Sequence, residues 1–535
     1  MAEIIIKNLS FTYEDVYDYI FENVNLVLDT NWRLGFIGRN GKGKTTFLKL
    51  LLGQFSYKGQ IQSNVEFEYF PYEVKDNNRK TIEIVKNIIA PFTMWEEKME
   101  QLLSDGSEDA LQLYGEILSK YEEADGYIIE TKIEKELGKL NVESDVLYRS
   151  FDTLSHGERT KVLLASLFLK KNQFLLIDEP TNHLDSEGRK LLSNYLKGKS
   201  GFILVSHDRS FLDACIDHVL SINRTTIELQ KGNYTSWKEN KEKKDKYEID
   251  KNETLKKDIT RLDKAMKRTK GWSDKVESSK VGNHVGDRGF VGAQAARMMK
   301  RAKSVEKRIE KQVEEKKTLL KDVEDTIPLK MNLLEYKKER LMFVDHVSFS
   351  YNHINSIEKE NQFLISDITF EVNKGDRLGI KGGNGSGKST LIQLLLQKLQ
   401  PIKGKISIGN GVVCSYVSQD TSWLKGSLED FVAKYQLDKT LFYTILRQLD
   451  FSREQFEKPI EAFSGGQKKK VLIAKSLLEP SHILIWDEPL NYIDIFSRIQ
   501  IEELILQYKP TMIFIEHDSY FYEKIKTKEI VLKKF

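Results

Sequence analysis

The chain has 535 residues, 40% hydrophobic and 30% charged, with 83 Lys plus Arg against 80 Asp plus Glu for a net charge of +3. That length exceeds one hydrophobic core, so two or more domains are expected, and no run approaches the ~18 apolar residues of a membrane-spanning helix. The N-terminal MAEIIIKNLSF lacks the layout of a signal peptide, and two cysteines, Cys215 and Cys414, are too few for a disulfide framework or metal site and are expected as buried thiols.

In chain order, a first strand closes on LSFTY, whose Tyr13 is either a platform for an adenine ring or an ordinary strand aromatic. RLGFIG follows and leads into Gly38-x4-Gly43-Lys44-Thr45, which opens the leucine-rich helical run TFLKLLL. This is the pattern of a phosphate-binding loop in its confirming strand-to-helix context. Gly38, Asn40, Gly41 and Gly43 let backbone N–H groups wrap phosphates, and the helix N-terminus adds its positive dipole end. Lys44 is expected at the β- and γ-phosphates, Thr46 beside the nucleotide, and Thr45 on Mg²⁺.

From Ile84 to Leu140 acidic and apolar residues interleave with helical spacing, either as an enlarged helical subdomain or as a small docking arm. LSHGE at 154–158 carries Ser155 and Gly157. FLLIDEP then ends an apolar run at Asp178, consistent with a buried parallel strand whose tip faces the nucleotide. Asp178 is expected to hold Mg²⁺ through water, and Glu179 to polarise the attacking water as general base. His207 in VSHD is expected to contact the γ-phosphate.

Between Lys238 and Asp325 there are 26 Lys plus Arg against 18 Asp plus Glu, a local charge of +8 that leaves −5 for the rest. A basic segment on a mildly acidic chain hints at a localised nucleic-acid contact. One helix is expected from Trp237 to Lys270 with Leu255, Ile259, Leu262 and Met266 as its stripe. A return helix is expected from about Ala293 to Asp325 with Ala302, Val305, Ile309 and Val323. Together they suggest an antiparallel coiled coil, each arm on the order of 45–50 Å. The glycine-dotted stretch 271–292 breaks both patterns and forms the tip, with Arg297, Lys300, Arg301 and Lys303 beside it. Phosphate neutralisation by these cations would anchor the tip on RNA; the bland alternative is a solvated coiled coil with a structural role.

The remaining chain repeats the first part. Tyr351 stands in VSFSY; Gly382, Asn384, Gly385, Gly387, Lys388, Ser389 and Thr390 form a second phosphate loop; Ser464, Gly465 and Gly466 stand in FSGGQ. ILIWDEP supplies Asp487 and Glu488, IEHD supplies His517, and Gln419 in YVSQ is a candidate for both the nucleotide and Mg²⁺. Ser155 to Asp178 and Ser464 to Asp487 are both 23 residues apart, whereas Lys44 to Ser155 spans 111 and Lys388 to Ser464 spans 76. The first copy therefore holds an extra ~35 residues within Ile84–Leu140, and repeated motifs of this kind define a duplicated unit. The expected map is residues 1–237 and 328–535 as two α/β P-loop NTPase domains, joined by a long antiparallel α-helical hairpin linker over 238–327.

LSHGE and FSGGQ, each between a phosphate loop and a DEP strand, resemble the signature of ATP-binding cassette proteins. The resemblance implies two cassettes paired head to tail within one monomeric chain. Lys44, Asp178 and Glu179 would face Ser464, Gly465 and Gly466 at site one; Lys388, Asp487 and Glu488 would face Ser155 and Gly157 at site two. Tandem cassettes with a charged hairpin and no membrane part are similar to the ABC-F branch. DTNWRLGFIGRNGKGKTTFLKLL, DEPTNHLD, GAQAARMMKRAK and IWDEPLNYID are close to its Lsa-type and Vga-type antibiotic-resistance members. The resemblance implies a cytoplasmic ATPase, with ATP and Mg²⁺ as cofactors. It would bind the ribosome at the large-subunit exit site, near rRNA and the P-site tRNA. Its linker tip, Val281, Gly282, Asn283, His284, Val285, Gly286, Asp287, Arg288, Gly289 and Phe290, would dislodge lincosamides, pleuromutilins and streptogramin A. A housekeeping translation factor, or the ATPase subunit of a transporter, are the other readings. Three departures stand out: Tyr72 where glutamine is expected, His156 where glycine is usual, and Leu490 in place of the threonine seen as Thr181. Tyr72 belongs to site one and His156 to site two, so slow hydrolysis is expected at both.

Overall fold

The computed structural model describes residues 2–13, 19–105, 107–182, 184–223, 226–278, 330–351 and 363–533, together with 297, 300–301, 303–305, 307–309 and 311. Met1–Tyr234 and Ile327–Phe535 form one compact body, and Thr235–Thr326 form a second.

Within the first body each half has the same plan. Short apolar runs such as FLLI, FILV and MIFI are buried on both faces, the signature of parallel strands sandwiched by helices. In the first half, Glu66–Phe70, Gln173–Asp178, Phe202–Val205, Arg33–Ile37 and His218–Asn223 lie side by side in parallel, with Thr226–Lys231 antiparallel at the edge. In the second, the order is Cys414–Val417, Ile483–Asp487, Met512–Ile515, Arg377–Lys381 and Lys528–Val531, all parallel. Each half adds a three-stranded antiparallel sheet around its first strand, Glu3–Phe11 or Arg340–Phe349. The helix after each phosphate loop, Lys44–Leu51 or Lys388–Leu395, buries its apolar face between the two sheets.

Among the described residues between the strand Glu66–Phe70 and the LSHGE helix, the first half has four α-helices: Thr81–Ile89, Phe92–Asp105, Glu108–Glu123 and Ile129–Gly138. The second half has two in the same interval, Leu428–Lys434 and Lys439–Gln448. The added residues are thus mainly the central pair, narrower than the sequence interval. Its base is fixed by Phe92, fully buried edge-to-face against Tyr121, whose hydroxyl donates to Glu96 at 3.0 Å.

A helix runs from Tyr234 to Ser278 over 45 residues, about 70 Å at 1.5 Å per residue. It passes Gly271, where the sequence reading ended it. One glycine costs only about 1 kcal/mol in a helix, too little to stop a long run without a proline. Leu255, Ile259 and Leu262 are half-buried, and Val305, expected on the returning stripe, is 46% exposed. Val281–Phe290, the expected tip, lie outside the described residues, as do Ala302 and Val323.

Candidate functional site

Each phosphate loop hands over to its helix through a glycine with positive φ, Gly43 at 93° and Gly387 at 87°. A side chain on Gly43 would also come within 2.6 Å of Ile20 Cγ2, so conformation and space both demand glycine. Lys44 Nζ donates to the carbonyls of Gly38 at 2.7 Å and Arg39 at 3.1 Å, and Lys388 Nζ to those of Gly382 and Gly383, both at 2.9 Å. Burial pulls both ammonium groups below the usual lysine pKa.

Asp178 closes its strand beside Thr45, whose hydroxyl donates to Oδ2 at 2.8 Å, and Tyr69 donates to the same oxygen at 3.1 Å. Asp487 is bonded by Ser389 in the second copy, while its Oδ1 is buried without a hydrogen-bond partner. A hydroxyl beside one carboxylate is a hard-oxygen set that fits Mg²⁺, which keeps water and substrate phosphates as its other ligands. Burial raises both aspartates, Asp487 to about 6 with help from the Glu488 charge.

One residue on, Glu179 and Glu488 adopt φ of 50° and 48°, held there by N–H bonds to Val205 O at 2.9 Å and Ile515 O at 3.0 Å. This left-handed turn is strained for a residue with a Cβ and sets each carboxylate in a cavity. His207 Nε2 and His517 Nε2 each lie 3.3 Å from the neighbouring glutamate. The two carboxylates nevertheless differ. Glu488 also accepts from Gln419 Nε2 at 2.9 Å and Asn491 Nδ2 at 2.6 Å. Burial would raise it, but His517 and Gln419 outweigh that and hold it at about 2. Burial, joined by the Asp178 charge, pushes Glu179 up to about 8. Burial drives His207 well below the ordinary histidine pKa, so it is neutral.

The sheet register explains the Tyr72 departure. Phe70 pairs with Ile177 and Val417 with Trp486, which puts Tyr72 level with Gln419. Leu490 is compensated. Thr181 bonds Ser206 at 3.3 Å in the first copy, whereas Glu516, the counterpart of Ser206, accepts from the Leu490 backbone at 3.1 Å.

Ser155 and Ser464 are N-caps of their helices in full capping boxes, with Glu158 and Gln467 returning the bond. The LSHGE and FSGGQ pattern is thus a helix start that presents N–H groups and a positive dipole end. Two cavities use these ends. One, of about 840 Å³, is lined by Asn40, Gly41, Gly43, Lys44, Thr45, Thr46, Asp178, Glu179 and His207 of the first half with Ser464, Gly465 and Gly466 of the second. The other, of about 900 Å³, joins Asn384, Gly385, Gly387, Lys388, Ser389, Thr390, Gln419, Glu488 and His517 to Ser155, His156 and Gly157. His156 is exposed and lines its cavity together with Gly157. Tyr13 lines the first cavity and bonds Thr46 Oγ1 at 2.9 Å; Tyr351 bonds Thr390 Oγ1 at 3.1 Å.

Sequence reasoning missed several residues here. Arg39 reaches Asp450 across the halves at 2.6 Å, and Arg209 pairs with Glu502 and Asp518. Tyr492 lines both cavities, and Lys469 lines the second. The repeat itself carried a signal for the last two: they replace His183 and Thr160 of the first copy. Of the two cysteines, Cys215 is buried, but Cys414 is only half-buried at the start of its strand.

Among the described residues no helix is long and apolar enough to cross a membrane. The ABC transporter family model matches residues 21–182 and 365–491. The chain is 28% identical to the ribosome protection protein VmlR of Bacillus subtilis, over 99% of this chain and 87% of that one. It is 27% identical to the energy-dependent translational throttle protein EttA of Haemophilus influenzae, over 95% and 88%. A solved archaeal ribosome recycling factor, in complex with a ribosomal stalk protein, shares the fold with a TM-score of 0.59 at 19% identity, covering 98% of this chain and 87% of that chain. The chain is therefore an ATP hydrolase that belongs to the ATP-binding cassette family, as an ABC-F ATPase with two cassettes on one polypeptide.

Proposed function

We propose that this ATPase acts on the ribosome: ATP closes the two cassettes on each other, the closed form binds at the exit site, and the linker tip displaces a drug from the peptidyl-transferase centre. The observation that carries this reading is the full-length likeness to a ribosome protection protein, which extends across the basic linker as well as the cassettes. The local charge of +8 between Lys238 and Asp325 suits an RNA phosphate surface and predicts salt-sensitive binding. Lincosamides, pleuromutilins and streptogramin A are the proposed drugs, and large-subunit rRNA and the P-site tRNA the proposed contacts.

At each cassette interface the geometry supports the following roles. Lys44 and Lys388 neutralise phosphate charge, and the opposite Ser464 or Ser155 helix start caps the same phosphates. Thr45 with Asp178, and Ser389 with Asp487, would hold Mg²⁺, which supplies charge neutralisation on the phosphate oxygens when bound. Glu179 and Glu488 orient the attacking water and take its proton, while His207 and His517 steady those carboxylates and meet the γ-phosphate.

A second reading, a housekeeping translation factor, is favoured by the comparable likeness to a translational throttle protein. Cell-free translation inhibited by a lincosamide separates the two. The protection reading expects the purified protein to restore synthesis in the presence of ATP. Unchanged inhibition, with ribosome binding intact, favours the housekeeping role.

A further inference from the structure

Lys469 lies on the second signature helix, Gly465–Leu478, five residues past Ser464. It does not serve the site that this helix caps. It is 3% exposed, and its Nζ donates to Ser418 O at 2.8 Å and Asp487 O at 3.3 Å, in the wall of the cavity that Lys388, Gln419 and Glu488 also line. Those carbonyls stand at the ends of two neighbouring parallel strands, Cys414–Val417 and Ile483–Asp487. The next residues along each are Gln419 and Glu488, which bond each other at 2.9 Å.

A buried ammonium has three donors and no acceptor, so it ties carbonyls together and does little else well. We propose that Lys469 is a positioning residue: it pins the two strand ends so that Gln419 and Glu488 present one water-holding edge, which makes the site of Lys388 the principal hydrolytic one and leaves the site of Lys44 slow.

The first copy lacks the device. Its counterpart, Thr160, bonds back to His156 O of its own helix at 3.0 Å. Tyr72 replaces Gln419, and Glu179 Oε1, though 3.3 Å from His207 Nε2, is buried without an aligned hydrogen bond. A misplacement of about 1 Å costs on the order of a hundredfold in rate, enough for one clamp to separate two otherwise matching sites.

The test is steady-state ATP hydrolysis by the full-length protein, with ATP affinity and thermal midpoint measured alongside. Lys469→Met is expected to lower kcat by about ten- to a hundredfold with KM and ATP affinity within about twofold, and Lys469→Arg to recover part of the rate. In pairs, Lys469→Met added to Glu488→Gln should lose no more than Glu488→Gln alone, whereas added to Glu179→Gln its loss should multiply. The idea is overturned if Lys469→Met leaves kcat unchanged. It is overturned equally if rate and ATP affinity fall together, or if the loss multiplies with Glu488→Gln instead. Where the Met variant fails to fold, Lys469→Gln takes its place under the same comparisons.

Discussion

Asn40, in the first phosphate loop, donates its side-chain amide to the main-chain carbonyl of Tyr492 in the second cassette, at 3.1 Å. Tyr492 adopts a φ of 64° and lines both nucleotide cavities. Each cavity therefore shares one wall segment with the other. A Cβ on Gly466 would fall 2.4 Å from that same carbonyl. Gly466→Ala must displace backbone shared by the two sites, so a stability loss of about 1–3 kcal/mol is expected. A fall of at least about tenfold in total ATPase rate should accompany it. Denaturant titration and a coupled ATPase assay read both effects.

Arg209 is 2% exposed and bridges the cassettes by pairing with the fully buried Glu502 and Asp518, with Tyr520 beneath its guanidinium at 4.3 Å. Asp518 keeps Arg498 at 2.9 Å and Glu502 keeps Lys524 at 3.3 Å, so removing Arg209 strips each carboxylate of one of its two cations and costs about 1.5–3 kcal/mol, less than a wholly unpaired buried charge. Arg209→Met should lower the urea midpoint by that equivalent, with or without ATP.

Lys44 and Lys388 are the chief cations at their phosphate loops. Hydrogen bonds to charged groups contribute about 1.5–3 kcal/mol each, so either alanine substitution should weaken ATP at its own site by about ten- to a hundredfold. The double variant should show no binding by calorimetry. Unchanged affinity there would remove the site assignment.

The thiols make a quieter prediction. Burial raises Cys414 to about 11, and burial with the nearby Asp208 charge raises Cys215 further. A raised pKa means neutral thiol below it, so at pH 8 the thiolate fraction of Cys414 is on the order of 0.001. Iodoacetamide should therefore label the native protein roughly a hundredfold more slowly than the protein in denaturant, read by mass spectrometry.

The phosphate loops, the strand-end carboxylates and the helix-capping signatures were legible because each chemistry needs particular residue types at fixed spacing, and the repeat displayed them twice. Lys469 was not legible. In the run Lys468, Lys469, Lys470 only burial tells the residues apart: the first is half-exposed and the other two are buried, Lys470 on Asp494 at 2.9 Å. A charge run ordinarily lies in water, so periodicity gave no hint. Arg209 was hidden for a similar reason, since its partners lie 293 and 309 residues away and pairing at that range is set by the fold. The insertion was legible as helix from its spacing. Which two of its four helices repeat in the second copy depended on what they pack against. Gly271 misled because a breaker residue is a local signal, and a 45-residue helix outweighs it.

The most direct test of the account is ribosome co-sedimentation of the Glu179→Gln, Glu488→Gln variant with and without ATP. Removing both water-orienting carboxylates while keeping Asp178 and Asp487 should trap the ATP-closed form. The account predicts pelleting with ribosomes in ATP and release without it, weakening steeply as salt is raised. A variant that binds ATP yet stays in the supernatant would contradict it.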